Sequence, residues 1–340
     1  VYAPRNIYAM DQHLTQTDWT GYWATGALHS CLGSYQGNYD GAVKSFWRRA
    51  WLDHLGSDDR VLDLGCGNGP LALLMMNESD EPALYCGVDL ARVAPSWPAR
   101  LPDSQRARLT FLGGCSMTDT GLPSDSIDWV VSQFGAEYVE PGPLLAELAR
   151  VLSPSGRVAL FLHHAGSRLA EVAREEAAHA DWLFAEGGLM TATAQLLEPM
   201  SAARTPQGRR RLAKSPLAAR LREAFNQAQD ALSARAAGSI APDLLFQARE
   251  LSAQMLQLAQ SQGLVQARAA WHETKRSIFQ AQARHRSLCA AALDAQAAQA
   301  LQAQIQALRG VWASELTEVC EGPYLVGWGL SFHHLARTSS

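Results

Sequence analysis

Arg60-Val-Leu-Asp-Leu-Gly-Cys-Gly-Asn-Gly-Pro70 is the stretch from which the rest of the chain is read. The charged residues Asp58, Asp59 and Arg60 give way to an apolar run, Val61 to Leu64, which three glycines then cut short. Leu71 to Met76 reads as a helix. Strand, glycine loop and helix open a doubly wound α/β sheet, in which a ligand lies against the carboxyl end of the first strand. Gly65 and Gly67 let the backbone turn tightly and approach a ligand that a Cβ would push away. The free N–H groups at the start of the helix face that ligand.

Two ligand classes use such a loop. The dinucleotide fingerprint spaces its glycines G-x-G-x-x-G, whereas this loop reads Gly65-x-Gly67-x-Gly69, with Pro70 where that pattern wants Gly or Ala. Asp63, two residues before the first glycine, would repel a pyrophosphate and attract an ammonium group. The stretch resembles motif I of the class I S-adenosylmethionine-dependent methyltransferases, Asp-x-Gly-x-Gly-x-Gly. That resemblance implies Asp63, Gly65, Cys66 and Gly67 as cofactor-binding residues. It covers roughly residues 41–167 and 313–340.

The following strands extend the resemblance. Ala83 to Asp89 is the second strand; an acid at its end can accept both hydroxyls of a ribose, and Leu90 after it covers an adenine face. NAD enzymes place an acid similarly, so Asp89 points to a ribose without choosing between the cofactors. After the third strand (Arg108 to Gly113) relatives often carry Gly-Asp-Ala, but this chain reads Gly113-Gly-Cys115-Ser-Met-Thr-Asp119. By strand position Cys115, Ser116 and Met117 fall at the adenine; by distance to Leu122-Pro123, Asp119 is the alternative. The fourth strand, Ile127 to Ser132, leads to Gln133 beside the methionine part of the cofactor, with Glu137 and Tyr138 on the substrate side. Arg92 to Leu101 and Pro143 to Leu152 read as helices. Ser153-Pro-Ser-Gly156 reads as a turn into a fifth strand, Arg157 to His163. Short apolar strands alternating with helices predict a parallel sheet covered on both faces.

The fifth strand ends in His163-His164. Adjacent strand residues point to opposite faces, so one of these imidazoles is expected at the methyl-transfer site, where it can take a proton from a hydroxyl or amine acceptor. These two are the catalytic candidates. His333-His334 repeats the pair farther from any motif and reads as structural.

The first 41 residues hold Tyr2, Tyr8, Trp19, Tyr22, Trp23, Tyr35 and Tyr39. Such density in an irregular segment reads as a cap, because aromatic rings bury large areas at low entropic cost. Tyr22, Trp23, His29 and Tyr39 are expected to line the substrate side. Gly41 to Leu55 has Val43, Phe46, Trp47, Trp51 and Leu55 at helical spacing.

Residues 168–312 shift to Ala, Gln and Leu. Leu244, Ala248, Leu251, Met255 and Leu258 form a coiled-coil-like seam, and Leu301, Ile305, Leu308 and Trp312 repeat it in a later helix. The basic run Arg204 to Lys214 lies between helices and reads as an exposed loop. Ser314 to Cys320 and Tyr324 to His334 resemble the closing hairpin of the family. The expected division is therefore a 1–41 cap, a 42–167 core, a 168–312 helical insertion serving as lid or homodimer surface, and a 313–340 hairpin completing a seven-stranded, mostly parallel, Rossmann-like sheet.

Composition sets the bounds. The 340 residues are 47 % hydrophobic, enough for a full core and an extra module. A net charge of −4 gives no general attraction to nucleic acid or an anionic membrane. Six scattered cysteines without a C-x-x-C pair or a secretory leader favour a reduced, cytoplasmic setting and no metal site. No apolar run approaches the roughly 18 residues of a membrane span. The resemblance implies S-adenosylmethionine as cofactor and in-line methyl transfer to a small, partly apolar molecule. A cofactor-retaining scaffold acting through its long helices is the alternative, and an NAD(P)-dependent oxidoreductase is disfavoured by Pro70 and Asp63.

Overall fold

The structure, a computed structural model, describes residues 12–30, 35, 37–79, 81–308 and 312–334. Tyr2, Tyr8 and Cys31 lie outside them. The chain divides into two compact units, one made of residues 1–170 and 287–340, the other of residues 171–286.

The first unit is built on a seven-stranded sheet. Its strands are β1 (Arg60–Leu64), β2 (Leu84–Asp89), β3 (Leu109–Gly113), β4 (Ile127–Gln133), β5 (Leu152–His163), β6 (Trp312–Glu321) and β7 (Tyr324–His334), in the order β3-β2-β1-β4-β5-β7-β6. β1 to β5 pair in parallel, and β7 runs antiparallel to both β5 and β6. The strand order reverses at β1, which lies between β2 and β4, so the glycine loop opens at the topological switch point.

Alternation along the strands divides the core between the two faces. Val61, Trp129, Val131, Ala159 and Phe161 meet α2 (Gly41–Ala50) and α3 (Pro70–Glu78). Leu62, Val130, Val158, Leu160 and Leu162 meet α5 (Pro141–Val151) and α12 (Ala295–Leu308). Val43, Phe46 and Trp47 of α2 are all buried, and each such side chain contributes on the order of 1.5–3 kcal/mol. The Glu321 carboxylate accepts from the Ala42 N–H at 2.5 Å, so the closing hairpin supplies an anion at the α2 N-terminus.

Local chemistry explains where the elements depart from expectation. No long helix follows β2: residues 92–101 hold only a short 3-10 turn at Trp97–Arg100, because Pro95 and Pro98 remove donors and restrict the residues before them. Ser153 to Gly156 is not a separate turn. β5 starts at Leu152, which pairs with Ile127, and pairing resumes at Arg157 opposite Trp129, so the extra residues bulge. Trp312 opens β6 rather than ending a helix, and α12 covers the sheet with Leu301 and Ile305. Residues 287–312 therefore lie with the first unit, not with the helical segment.

The second unit packs α7 (Leu189–Ala202), α9 (Pro216–Ala237) and α10 (Asp243–Ser261) around Leu183, Met190, Leu197, Leu232, Leu245 and Met255. The buried seam of α10 is Leu245, Ala248, Ser252, Met255 and Ala259; Ala248 and Met255 are as expected, while the other three places shift by one residue and leave Leu244, Leu251 and Leu258 half-buried. Small side chains let α7 approach, and Thr193 Oγ1 donates to Ser252 Oγ at 2.9 Å. The basic run is a helix, α8 (Pro206–Ala213), instead of a loop. Thr205 Oγ1 accepts the Gly208 N–H at 2.9 Å and Pro206 takes the first helical position. Arg209, Arg210 and Arg211 on it are exposed.

Candidate functional site

The loop after β1 has the geometry its residues require. Gly65, Gly67 and Gly69 have φ of +72°, +50° and +77°, the left-handed region that L side chains avoid. Pro70 is the first residue of α3, where its missing N–H costs no hydrogen bond. A Cβ on Gly67 would lie 2.7 Å from the Trp23 ring. The cap therefore packs directly on the loop.

Asp89, at the end of β2, is tied into the same loop. Its Oδ2 accepts the Gly67 N–H at 2.9 Å and its Oδ1 the Ala91 N–H at 2.8 Å. Burial raises its pKa, and these two bonds oppose the rise. Each oxygen keeps a lone pair for a further donor such as a ribose hydroxyl.

Asp63 sits differently from the sequence expectation. It is 1 % exposed, accepts the Tyr85 hydroxyl and does not line the cavity described below. Burial pushes its pKa up to about 7, against the hydrogen bond from Tyr85 and helped by the charge of Asp89. Its Oδ1 has no partner among the described residues. It supports the loop from beneath.

Over the loop opens a cavity of about 480 Å³. Its walls bring together Gly65, Cys66, Gly67, Asp89, Leu90, Ser116, Met117 and Gln133 with Trp23, His29, Tyr39, Glu137 and Tyr138. Cys115 and Tyr22 are not among them. The Cys115 thiol turns towards the carbonyls of Ser116 and Thr120, and the Tyr22 hydroxyl donates to the His29 carbonyl at 2.9 Å. Asp119 also stays outside, its N–H bonded to the Ser116 carbonyl. Burial drives the Cys66 thiol well above its ordinary pKa, so it lines the loop as a neutral group.

The histidines separate. His163 is buried behind the cavity wall, stacked on Phe134 with ring centroids 4.0 Å apart. Its backbone N–H and its Nδ1 lie 2.8 and 2.7 Å from Glu137 Oε1. A carboxylate only accepts, so Nδ1 carries the hydrogen. His164 stacks on Trp328 and reaches Glu318 on β6 at 3.3 Å. Neither histidine is a cavity-lining residue. The expectation that one of them faces the site is therefore not met by the cavity walls, whereas Glu137 does line the cavity. His29 also lines it, with Nε2 3.0 Å from the Gly37 carbonyl. Burial lowers its pKa, so the ring is neutral near pH 7 with an unprotonated Nδ1.

Three buried atoms on cavity-lining side chains have no partner among the described residues: Gln133 Nε2, Glu137 Oε2 and His29 Nδ1. Gln133 is fixed by the Trp47 indole N–H donating to its Oε1 at 2.5 Å. Gln133 Nε2 as a donor and His29 Nδ1 as an acceptor, near a bare glycine loop, match the carboxylate and ammonium ends of an amino-acid moiety. Together with Asp89 for a ribose, they make the site fit S-adenosylmethionine.

Sequence reading missed Gln16, Trp19, Phe134 and the end of α11 (Leu264–Ala291), whose Ser287, Ala290 and Ala291 line the cavity. Trp19 lies one helical turn before Trp23 on α1 (Gln12–Trp23) and stacks on it at 5.6 Å, a spacing that gave a usable signal. Phe134 has a φ of +56°, and nothing in its residue type announces it. Gly135 beside it is required, since a Cβ would lie 2.6 Å from the Leu64 carbonyl. Among the described residues no cluster of His, Cys, Asp and Glu is placed to hold a metal ion, and no helix is long and apolar enough to cross a membrane.

The methyltransferase domain family matches residues 62–160. No curated protein matches the chain. Among solved structures, geranyl diphosphate C-methyltransferase from Streptomyces coelicolor A3(2) is similar at 20 % identity and a TM-score of 0.35, over 43 % of this chain and 64 % of that one. The YcgJ protein from Bacillus subtilis is similar at 23 % identity and a TM-score of 0.32, over 39 % and 58 % of the two chains. The cyclase SpnF is similar at 19 % identity and a TM-score of 0.35, over 51 % and 67 %. The chain thus spans less than two thirds of the first two structures. The matched segment runs from β1 through the glycine loop and Asp89 into β5, and it is this part of the chain that is similar to a methyltransferase domain.

Proposed function

We propose that this chain transfers a methyl group from S-adenosylmethionine to a small, partly apolar acceptor held in the cavity over the glycine loop. The observation that carries the reading is the convergence of Gly65, Gly67 and Asp89 with Trp19, Trp23, Phe134 and Tyr138 on one cavity. The first group suits a nucleoside with an amino-acid tail, and the second an apolar molecule beside it.

The cofactor supplies an activated methyl group, so the protein's part is placement and exclusion of water. Asp89 takes the ribose hydroxyls, and the bare backbone at Gly65 leaves room for the chain that follows. Gln133 Nε2 is a donor for the carboxylate end. The aromatic side chains of α1 close over the loop: Asn68 Nδ2 donates to the Trp23 and Ala27 carbonyls at 3.0 and 2.7 Å, and Gln16 Nε2 donates to the Leu90 carbonyl at 2.8 Å. An acceptor in the same cavity would meet Phe134, Tyr138 and Glu137.

Calorimetric titration with S-adenosylmethionine and S-adenosylhomocysteine, on wild type and Asp89→Ala, tests the reading. Wild type binds both. Losing a charged acceptor for two hydroxyls weakens binding on the order of 100-fold. Absence of binding by wild type removes the reading and moves attention to the helical unit.

A further inference from the structure

We propose that the acceptor is an amine, received in its protonated form by Glu137; this rests on the methyl-transfer reading of the same cavity. The charge of the walls carries the argument. Asp89, Glu137 and Glu140 line the cavity, and among the described residues no lysine or arginine does. S-adenosylmethionine carries a net positive charge, which Asp89 beside the loop offsets. Glu137 and Glu140 are left over. An acceptor bearing phosphate or carboxylate would meet only repulsion there.

Glu137 marks where the cation goes. It is 4 % exposed. His163 saturates its Oε1 through both the backbone N–H and Nδ1, which leaves Oε2 buried and unpartnered among the described residues. A buried carboxylate oxygen without a donor is costly. Glu137 lines the cavity, so the donor that Oε2 lacks is assigned to whatever fills that space. Trp19, Trp23, Phe134 and Tyr138 surround that space, and aromatic faces favour a cation over an anion or a neutral hydroxyl. His163 acts as the positioning residue: its two bonds hold the carboxylate plane, and Phe134 stacks on its ring.

The chemistry balances. Glu137 Oε2 takes one proton from the ammonium nitrogen, freeing the lone pair. That pair forms the new nitrogen–carbon bond to the methyl group while the carbon–sulfur bond breaks, its electrons staying on sulfur. The product is the N-methylated amine, cationic again, with S-adenosylhomocysteine.

The test is calorimetry at neutral pH on protein saturated with S-adenosylhomocysteine, using phenethylamine, phenethyl alcohol and phenylacetate as matched probes. The amine binds at least about tenfold more tightly than the alcohol, a conservative figure for one buried charge pair, and phenylacetate binds most weakly. Glu137→Gln erases the preference of amine over alcohol while S-adenosylhomocysteine binding persists. Glu140→Gln, at the exposed rim, reduces the preference less. If the Glu137 variant does not fold, the wild-type ranking and Glu140→Gln still decide. Equal binding of the probes, preference for the alcohol or the acid, or no amine binding overturns the proposal. Failure of S-adenosylhomocysteine to bind, with the amine preference intact in the unloaded protein, overturns the cofactor reading instead and leaves the amine subsite standing.

Discussion

Asp63→Asn makes the buried acid under the glycine loop measurable. The carboxyl titrates near 3.8 in the unfolded chain and near 7 when folded, chiefly because burial disfavours its charge. Between those values the folded protein holds more protons than the unfolded one, so stability falls as pH rises. At about 1.4 kcal/mol per unit, integrating from pH 5 to pH 8 gives a loss of about 2–3 kcal/mol from this one group. An asparagine does not titrate, and its amide oxygen can still accept the Tyr85 hydroxyl. The variant therefore gains on wild type by about 2–3 kcal/mol over that interval. Native-state hydrogen exchange at the β1 amides, Val61 to Leu64, reads this difference without ligand and without assuming that both units unfold together. A difference that stays flat, or that moves towards wild type with rising pH, refutes the reasoning. It would mean that Asp63 is ionised throughout and has a cationic partner.

Further expectations concern the loop and the far side of the sheet. Gly67→Ala forces a Cβ to within 2.7 Å of the Trp23 ring at a φ of +50°; it should cost about 1–3 kcal/mol and weaken S-adenosylhomocysteine binding by displacing Trp23, both read by thermal shift with and without ligand. Glu147 is held at a pKa of about 2, first by its hydrogen bond with Arg150 and then by those from Thr120. Its contribution to stability is complete above the ordinary carboxylate range and disappears as pH falls through 2. Urea titrations of wild type and Glu147→Gln should therefore converge in strong acid; a gap that stays constant with pH would show that the charge is not what Glu147 contributes.

The local grammar of the first unit was legible because it depends on near neighbours in the chain. Gly65, Gly67 and Gly69 announce a backbone conformation that other residues resist. Val61 to Leu64 announces a strand buried on both faces, and Asp89 ends the next strand at the same edge of the sheet. Even Pro70, read as an objection to a dinucleotide, has its place as the first residue of α3. Aromatic density alone marked Trp23 as part of a cap.

Direction and pairing were not legible in this way. Sequence could say that His163 and His164 face opposite ways, but not that both turn from the cavity, one held by Glu137 and the other against Trp328. Those partners are 26 and 164 residues away, and nothing local encodes such a meeting. Asp63 looked like a ligand because an acid beside a glycine loop attracts an ammonium. Only packing shows Tyr85 beneath it and walls that close it off. Ser287, Ala290 and Ala291 enter the cavity from the end of a helix far along the chain. Local backbone preference is a property of residue type and spacing, so sequence by itself determined the sheet and the glycine loop at its switch point. Which side chains share a cavity depends on contacts that form only when distant segments pack, and that was decided by the tertiary structure.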